Sequence, residues 1–217
     1  MFYLDLSDDH RWLNKKVFKN IRLKERKLSE AGVEFVQTQD PHACLRLFEE
    51  LRDQRRRRFH LAGRPNSLES RQGFADFYRY MASHASPEGA VTTFCLRKGD
   101  DIISSYLALA NDAVFNGVLI SIGSEEWHRY SPGMVLTKKL IDWCTGKGIR
   151  TFCFGTGHQE YKRRFGGSLM SMQRIVQPLT GMGKAYLMIR HLHKIAQKNL
   201  GPDLKGLPED DLPAAAT

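Results

Sequence analysis

The run from Tyr130 to Lys162, YSPGMVLTKKLIDWCTGKGIRTFCFGTGHQEYK, constrains this chain more than any other stretch. Ser131 stands where a helix N-cap would, and a hydroxyl there accepts from free first-turn amides. Pro132 follows at the first helical position, which needs no amide donor. Leu136, Leu140 and Trp143 recur at helical spacing, with Lys138 and Lys139 off that stripe. Gly146 and Gly148 stop the helix, and Ile149 to Phe154 reads as a short apolar strand. Gly133 leaves room for a ligand to approach the backbone. Free amides and a helix start converging on one place suit an anion, phosphate above all. An ordinary capped helix would read the same way, so the place of this run in the fold must decide.

The rest of the chain supplies that place. Phe2, Leu4 and Leu6 alternate as in a short strand. A helix is predicted from Arg11 to Ala31, with Leu13, Val17, Ile21 and Leu28 on one face and a row of lysines and arginines on the other. Val33 to Gln37 is a short strand. Asp40-Pro41 opens a second helix with Cys44, Phe48 and Leu51 inward, and its run Arg55–Arg58 covers more than one face. Ser67 caps a further helix reaching His84. Val91–Arg97, Ile102–Ala110 and Val114–Gly123 form an antiparallel meander that leads into the Ser-Pro-Gly helix. A short helix at His158–Phe165, a last strand at Ser168–Val176 and an amphipathic helix at Lys184–Asn199 complete the order. The prediction is an α+β fold with a mixed sheet of about six strands and helices on both faces. Val114–Gly123 and Arg150–Phe154 should lie adjacent and parallel.

At 217 residues the chain can bury a sizeable core. It contains no run of about 18 apolar residues, so no transmembrane segment is expected. Asp5, Asp8 and Asp9 stand where a signal peptide would carry positive charge, which points to a cytoplasmic protein. Cys44, Cys95, Cys144 and Cys153 are widely spaced in apolar contexts and read as reduced, buried thiols. His191 and His193 lack a third ligand nearby, so no metal is expected. The net charge of +9 favours anionic partners such as CoA, nucleic acid or lipid head groups. Much of it falls in Lys15–Lys27 and Arg52–Arg58, where solvated helix faces explain most of the charges. No aromatic residues alternate with those arginines, so nucleic acid is not the expected partner.

Three motifs occur in order: Tyr-Ser-Pro-Gly-x-x-Leu from Tyr130, Gly-x-x-x-Phe-x-Phe-Gly-x-Gly from Gly148, and Tyr161-Lys162 with its basic-aromatic end. Over roughly Trp12 to Phe165 the chain thereby resembles GNAT-fold acyltransferases of the CelD-like, cellulose-biosynthesis-type acetyltransferase group, distant relatives of the FemAB aminoacyl transferases. The resemblance implies a GNAT fold with the donor pyrophosphate at the helix start after the long central strand. It implies an N-acyltransferase taking an acyl group from acetyl-CoA or another acyl-CoA to an amine, on a small molecule or peptide. Backbone amides of Ser131, Pro132, Gly133 and Met134 would hold the donor, with Arg129 or Lys138 helping electrostatically. A backbone amide within Val118–Ile122 would stabilise the oxyanion. Tyr161 would protonate the leaving thiolate, and Glu160 and His158 are the candidate bases.

The chain also departs from that family. Cys153 stands where relatives commonly carry an acidic residue, and Gly157-His158-Gln159 replaces Gly-Asp-Glu. Either the base has moved, or the acceptor differs, or the protein is inactive. The alternatives are a FemAB-like, aminoacyl-tRNA-dependent transferase and a degenerate, non-catalytic binding module. Relatives often carry a preceding GNAT-like half. On that reading residues 1–32 are an N-terminal strand and basic helix left from it, 33–200 the acyltransferase domain, and 201–217 a disordered tail. A homodimer or another partner would then complete the missing half.

Overall fold

The computed structural model describes residues 1–7, 16–155, 160–172 and 177–199. They form β1 (Phe2–Asp5), α1 (Lys16–Glu30), β2 (Glu34–Thr38), α2 (Pro41–Leu61), α3 (Ser67–Ser70), α4 (Phe74–Ser83), β3 (Val91–Lys98), β4 (Asp101–Ala110) and β5 (Val114–Ile122). A 3-10 helix over Glu125–Tyr130 leads to α5 (Pro132–Gly146), β6 (Thr151–Cys153), α6 (Glu160–Arg164), β7 (Ser168–Leu169) and α7 (Gly181–Asn199). The chain divides into two compact units, Met1–Ser171 and Met172–Thr217.

The first unit is built on a mixed sheet of seven strands in the order β2-β3-β4-β5-β6-β1-β7. The meander β3-β4-β5 is antiparallel as expected, and β5 and β6 run parallel with Val114, Phe115 and Asn116 opposite Thr151, Phe152 and Cys153. The count exceeds the expected six because β1 pairs both with β6 and with the two-residue β7. Residues 1–32 thus contribute β1 and α1 to this sheet and its cover.

Each face of the sheet has its own core. On one, Phe18 and Ile21 of α1 and Leu136 and Leu140 of α5 cover Phe94, Phe115 and Phe152. On the other, Cys44, Phe48 and Leu51 of α2 cover Leu107 and Leu119. Glu25 clamps α1 to α5, accepting from Lys138 Nζ and Lys139 Nζ at 2.8 Å each, and Lys138 also pairs with Asp142 at 2.6 Å. Burial pushes the Glu25 carboxyl up, but the two lysines outweigh it and hold the group below its ordinary range. Gln54 fixes α2 to the meander: its Nε2 donates to Ile102 O, and its Oε1 accepts from Ser121 Oγ, both at 2.6 Å.

Two local expectations fail. The helix expected from Ser67 to His84 is broken, because Gly73 takes φ +78° and starts a new helix, α4. Asn66 rather than Ser67 caps α3, its side chain accepting from Leu68 N at 3.3 Å. Of the strand expected at Ser168–Val176, Ser168–Leu169 is formed, and 173–176 lie outside the described residues, as does 201–217. Among the described residues no helix is long and apolar enough to cross a membrane.

Candidate active site

Pairing between β5 and β6 stops after Asn116 and Cys153. Two glycines make this fork tight. Gly155 has φ +79°, and a Cβ on it would lie 2.7 Å from Gly117 O. A side chain on Gly117 would run into the Tyr106 hydroxyl. Just beyond, the register of β4 and β5 slips so that Val118 is an extra residue, which bends the strand. Past the fork a cavity of about 600 Å³ opens. Its walls are Ile120 and Ile122 of β5, Gly133, Met134 and Thr137 of α5, and Tyr161 and Lys162 of α6. Arg55, Arg58, Arg71 and Phe74 close it from the α2–α4 side.

Arg55 Nη1 donates to Ile120 O at 3.0 Å. In a strand the N–H and C=O of one residue point to the same edge. The Ile120 amide therefore faces the cavity edge of β5, where β6 no longer pairs with it. The Arg55 guanidinium also stacks on Phe59, with 4.9 Å to the ring centroid. Burial, and then Arg58 beside it, lowers its pKa from the ordinary value without discharging it.

Among the described residues lining the cavity, Arg55, Arg58, Arg71 and Lys162 are the charged groups, and no carboxylate joins them. Lys162 is 2% exposed, and its Nζ donates to Gly155 O at 3.2 Å. Burial brings its pKa down from 10.5 to about 8. Burial raises that of Tyr161, against a smaller opposite pull from Arg58, so its phenol is protonated at neutral pH. The Tyr161 ring meets Phe154 and Phe165 edge-on, with centroids 6.3 Å away in each case, which fixes its direction.

The expected donor loop is organised differently from its sequence reading. Ser131 is the one non-glycine residue with positive φ among those described, at φ 49° and ψ 56°. Its hydroxyl does not cap α5 but accepts from Lys24 Nζ at 2.6 Å. Ser131 N donates to His128 O at 2.9 Å, and Met134 N donates to Ser131 O at 2.9 Å. Pro132 has no amide hydrogen, so Gly133 N is the loop's remaining donor. Gly133 itself packs on β5: an added Cβ would lie 3.1 Å from Ile122 Cδ1. The room expected there for a ligand is taken by a helix–strand contact. A second hollow of about 400 Å³ continues from the cavity around the start of α5, sharing Arg58, Ile122, Gly133 and Met134 and adding His128, Ser131 and Pro132.

Of the expected catalytic groups, Tyr161 lines the cavity. Glu160 is exposed and pairs with Arg164 at 2.8 Å, and His158 lies outside the described residues. Lys138 is committed to Glu25 and Asp142 and does not line either hollow. Arg129 stacks over Tyr130 at 4.8 Å and lines a separate hollow with Lys24 and Lys27. Sequence reasoning missed Arg55 and Lys162, and it expected an oxyanion donor within Val118–Ile122 without singling out the Ile120 amide. For Arg55 a signal existed, since it lies four residues after buried Leu51 and so shares its helix face. For Lys162 no pattern announces burial in a five-residue helix.

The family model described as acetyltransferase (GNAT) domain matches residues 15–163. A comparison with curated proteins gives no match. Among solved structures, FemX superposes with TM-score 0.56 at 10% identity, over 77% of this chain and 58% of that one. L-PGS from Bacillus licheniformis superposes with TM-score 0.54 at 13% identity, over 77% and 56%. The chain thus spans little more than half the length of these two structures, and at such identities the likeness is one of fold.

Proposed function

Since the chain belongs to the acetyltransferase (GNAT) domain family, we propose that it is an N-acyltransferase, CelD-like by its motifs, that works in the cytoplasm. It takes an acyl group, acetyl first, from acyl-CoA to an amine on a small molecule or peptide. The observation that carries this reading is the forked cavity, which joins an unpaired strand amide, a protonated phenol and a low-pKa amine beside the start of α5. The donor's phosphates lie along the second hollow, against Gly133 N, Arg58 and the α5 dipole. Its thioester carbonyl sits at the fork, where Ile120 N–H receives the oxyanion. The acceptor nitrogen attacks the carbonyl carbon and forms the C–N bond. Lys162, neutral in part near pH 8, takes the proton from that nitrogen. The C–S bond breaks, and Tyr161 gives its proton to the thiolate. Lys162 so fills the role left open by the absent carboxylates.

Titration calorimetry with acetyl-CoA tests the donor site. The parent and Ser131→Ala should bind alike, because the serine hydroxyl faces Lys24 and not the helix amides. Gly133→Val and Arg58→Ala should each weaken binding at least about tenfold, the loss of one charge-assisted phosphate contact. Arg58 is exposed, so its variant keeps the test meaningful should valine disturb the α5–β5 contact. Binding unchanged in both would remove the donor from this loop.

The four cations around the cavity, with no carboxylate among the described lining residues, also favour a second reading, with aminoacyl-tRNA as donor. Most of the Arg55–Arg58 run, however, is engaged by protein: Arg55 with Ile120 O, Arg56 with Asp53 and Arg57 with Glu50. No tight complex with bulk tRNA is therefore expected at physiological salt. A strong complex whose affinity falls steeply with added salt would promote this reading over the first.

A further inference from the structure

None of the chemistry above uses α7, in the unit Met172–Thr217. Between Gly181 and Leu192 five large apolar side chains stand in solvent: Met182 is 84% exposed, Met188 67%, Ile189 68%, Leu192 59% and Tyr186 53%, while Leu187 is half-buried. At 3.6 residues per turn, Met182, Tyr186, Ile189 and Leu192 fall on one side, with Met188 at its margin. Lys184 and His191 fall on the other with half-buried Leu187, and Arg190 borders the stripe one turn after Tyr186. The helix sequence carries Lys184, Arg190, Lys194 and Lys198 and no acidic residue. An exposed apolar stripe of this size marks a surface that something covers.

We infer that α7 is an interfacial helix that binds the surface of a bilayer containing anionic lipid. It lies in the plane of the surface, with Met182, Tyr186, Ile189 and Leu192 in the acyl boundary and its cations at the head groups. Charge identifies the occupant. A helix with cations and no acids fits an anionic surface. A second copy of this chain would set +9 against +9, and lysines against lysines. A nucleic acid would pair with the cations and leave the apolar side uncovered. The helix does not meet the length and apolarity needed to span a bilayer, so it lies on the surface. The inference stands apart from the acyl-transfer reading.

Co-sedimentation of the full chain with vesicles tests it. Vesicles of phosphatidylcholine with a third phosphatidylglycerol should bind the protein, and phosphatidylcholine alone should bind it at least about tenfold more weakly. Lys184→Gln with Arg190→Gln should cost roughly thirtyfold, and added salt should mimic it. Ile189→Gln with Leu192→Gln should cost roughly a hundredfold, since both side chains lose their burial. Circular dichroism of each variant checks that helix content is kept. Vesicle binding that survives the apolar pair would mean attraction by the chain's net charge alone and would overturn the inference. So would a dimer, seen in sedimentation without vesicles, that the same pair dissolves.

Discussion

Methionine in place of Lys162 should lower kcat/KM for acyl transfer by about 10²–10⁴-fold, the usual worth of a general base. The pH profile separates this role from a packing role. If Lys162 accepts the proton, kcat/KM of the parent rises with pH up to about 8, where the amine becomes neutral, and then flattens. The methionine variant should lose that limb. Lys162→Arg keeps the charge but has no accessible neutral form, so it should be as inactive as the methionine variant. Activity retained by arginine would make the group an electrostatic clamp on the oxyanion.

The same substitution has a stability signature of opposite sign. The folded pKa, about 8, lies below the ordinary 10.5. Below pH 8 the amine is protonated in both states, and the fold carries the cost of a buried ammonium. Between about 8 and 10.5 the unfolded chain binds more protons than the folded one, so stability of the parent climbs with pH. Above that window both forms are neutral and the cost has gone. The methionine variant should therefore be more stable than the parent at pH 7, by about 1–2 kcal/mol after allowance for screening by cavity water. That gap should close as pH approaches 10.5. Denaturation at pH 7 and pH 10 reads it, and a gap that stays constant would place the amine in solvent.

Lys162 also shows where a sequence stops speaking. Periodicity gave the meander and the α5 helix, because each long element has one face that must be buried, and the strand–helix–strand order gave the parallel neighbour of β5. Local capping chemistry was less legible. Ser131 precedes proline and glycine as an N-cap does, yet its backbone is left-handed and its hydroxyl is turned to Lys24 on a helix 107 residues earlier in the chain. Lys138 looked free on its helix, and Glu25 claims it. Arg55 lies in a run of four arginines that differ little in sequence, while their fates differ by helix phase: one reaches a strand carbonyl, two pair on the surface, one borders the cavity. Such partners come from other elements, and a local pattern cannot name them. The departures at Cys153 and His158-Gln159 were legible as missing carboxylates. Cys153 is 3% exposed in β6, paired with Tyr3 and Asn116, and does not line the cavity.

Alanine at Gly155 should destabilise the protein by about 3 kcal/mol, more than at any glycine in an open turn. Two costs add. At φ +79° an L-residue pays about 1–2 kcal/mol. The added Cβ would also lie 2.7 Å from Gly117 O, a backbone atom of β5 that cannot rotate away. Gly148 provides the control. It has φ +73° with nothing within 4 Å of the added atom, so Gly148→Ala should show the conformational cost alone. For a chain of this size each kcal/mol moves Tm by about 2–4 °C. Thermal melts should therefore place Gly155→Ala several degrees below Gly148→Ala. Activity should separate them further. Gly155 O accepts from Lys162 Nζ, and Tyr161 lines the cavity beyond the fork. Moving Gly155 away from Gly117 would shift Lys162, the proposed base, relative to the Ile120 amide, and a misplacement of about 1 Å costs up to 10²-fold in rate. Gly148→Ala should keep parental kcat/KM. Equal melting temperatures and equal rates in the two variants would mean that the fork yields easily. The cavity would then not be held in place by these two glycines.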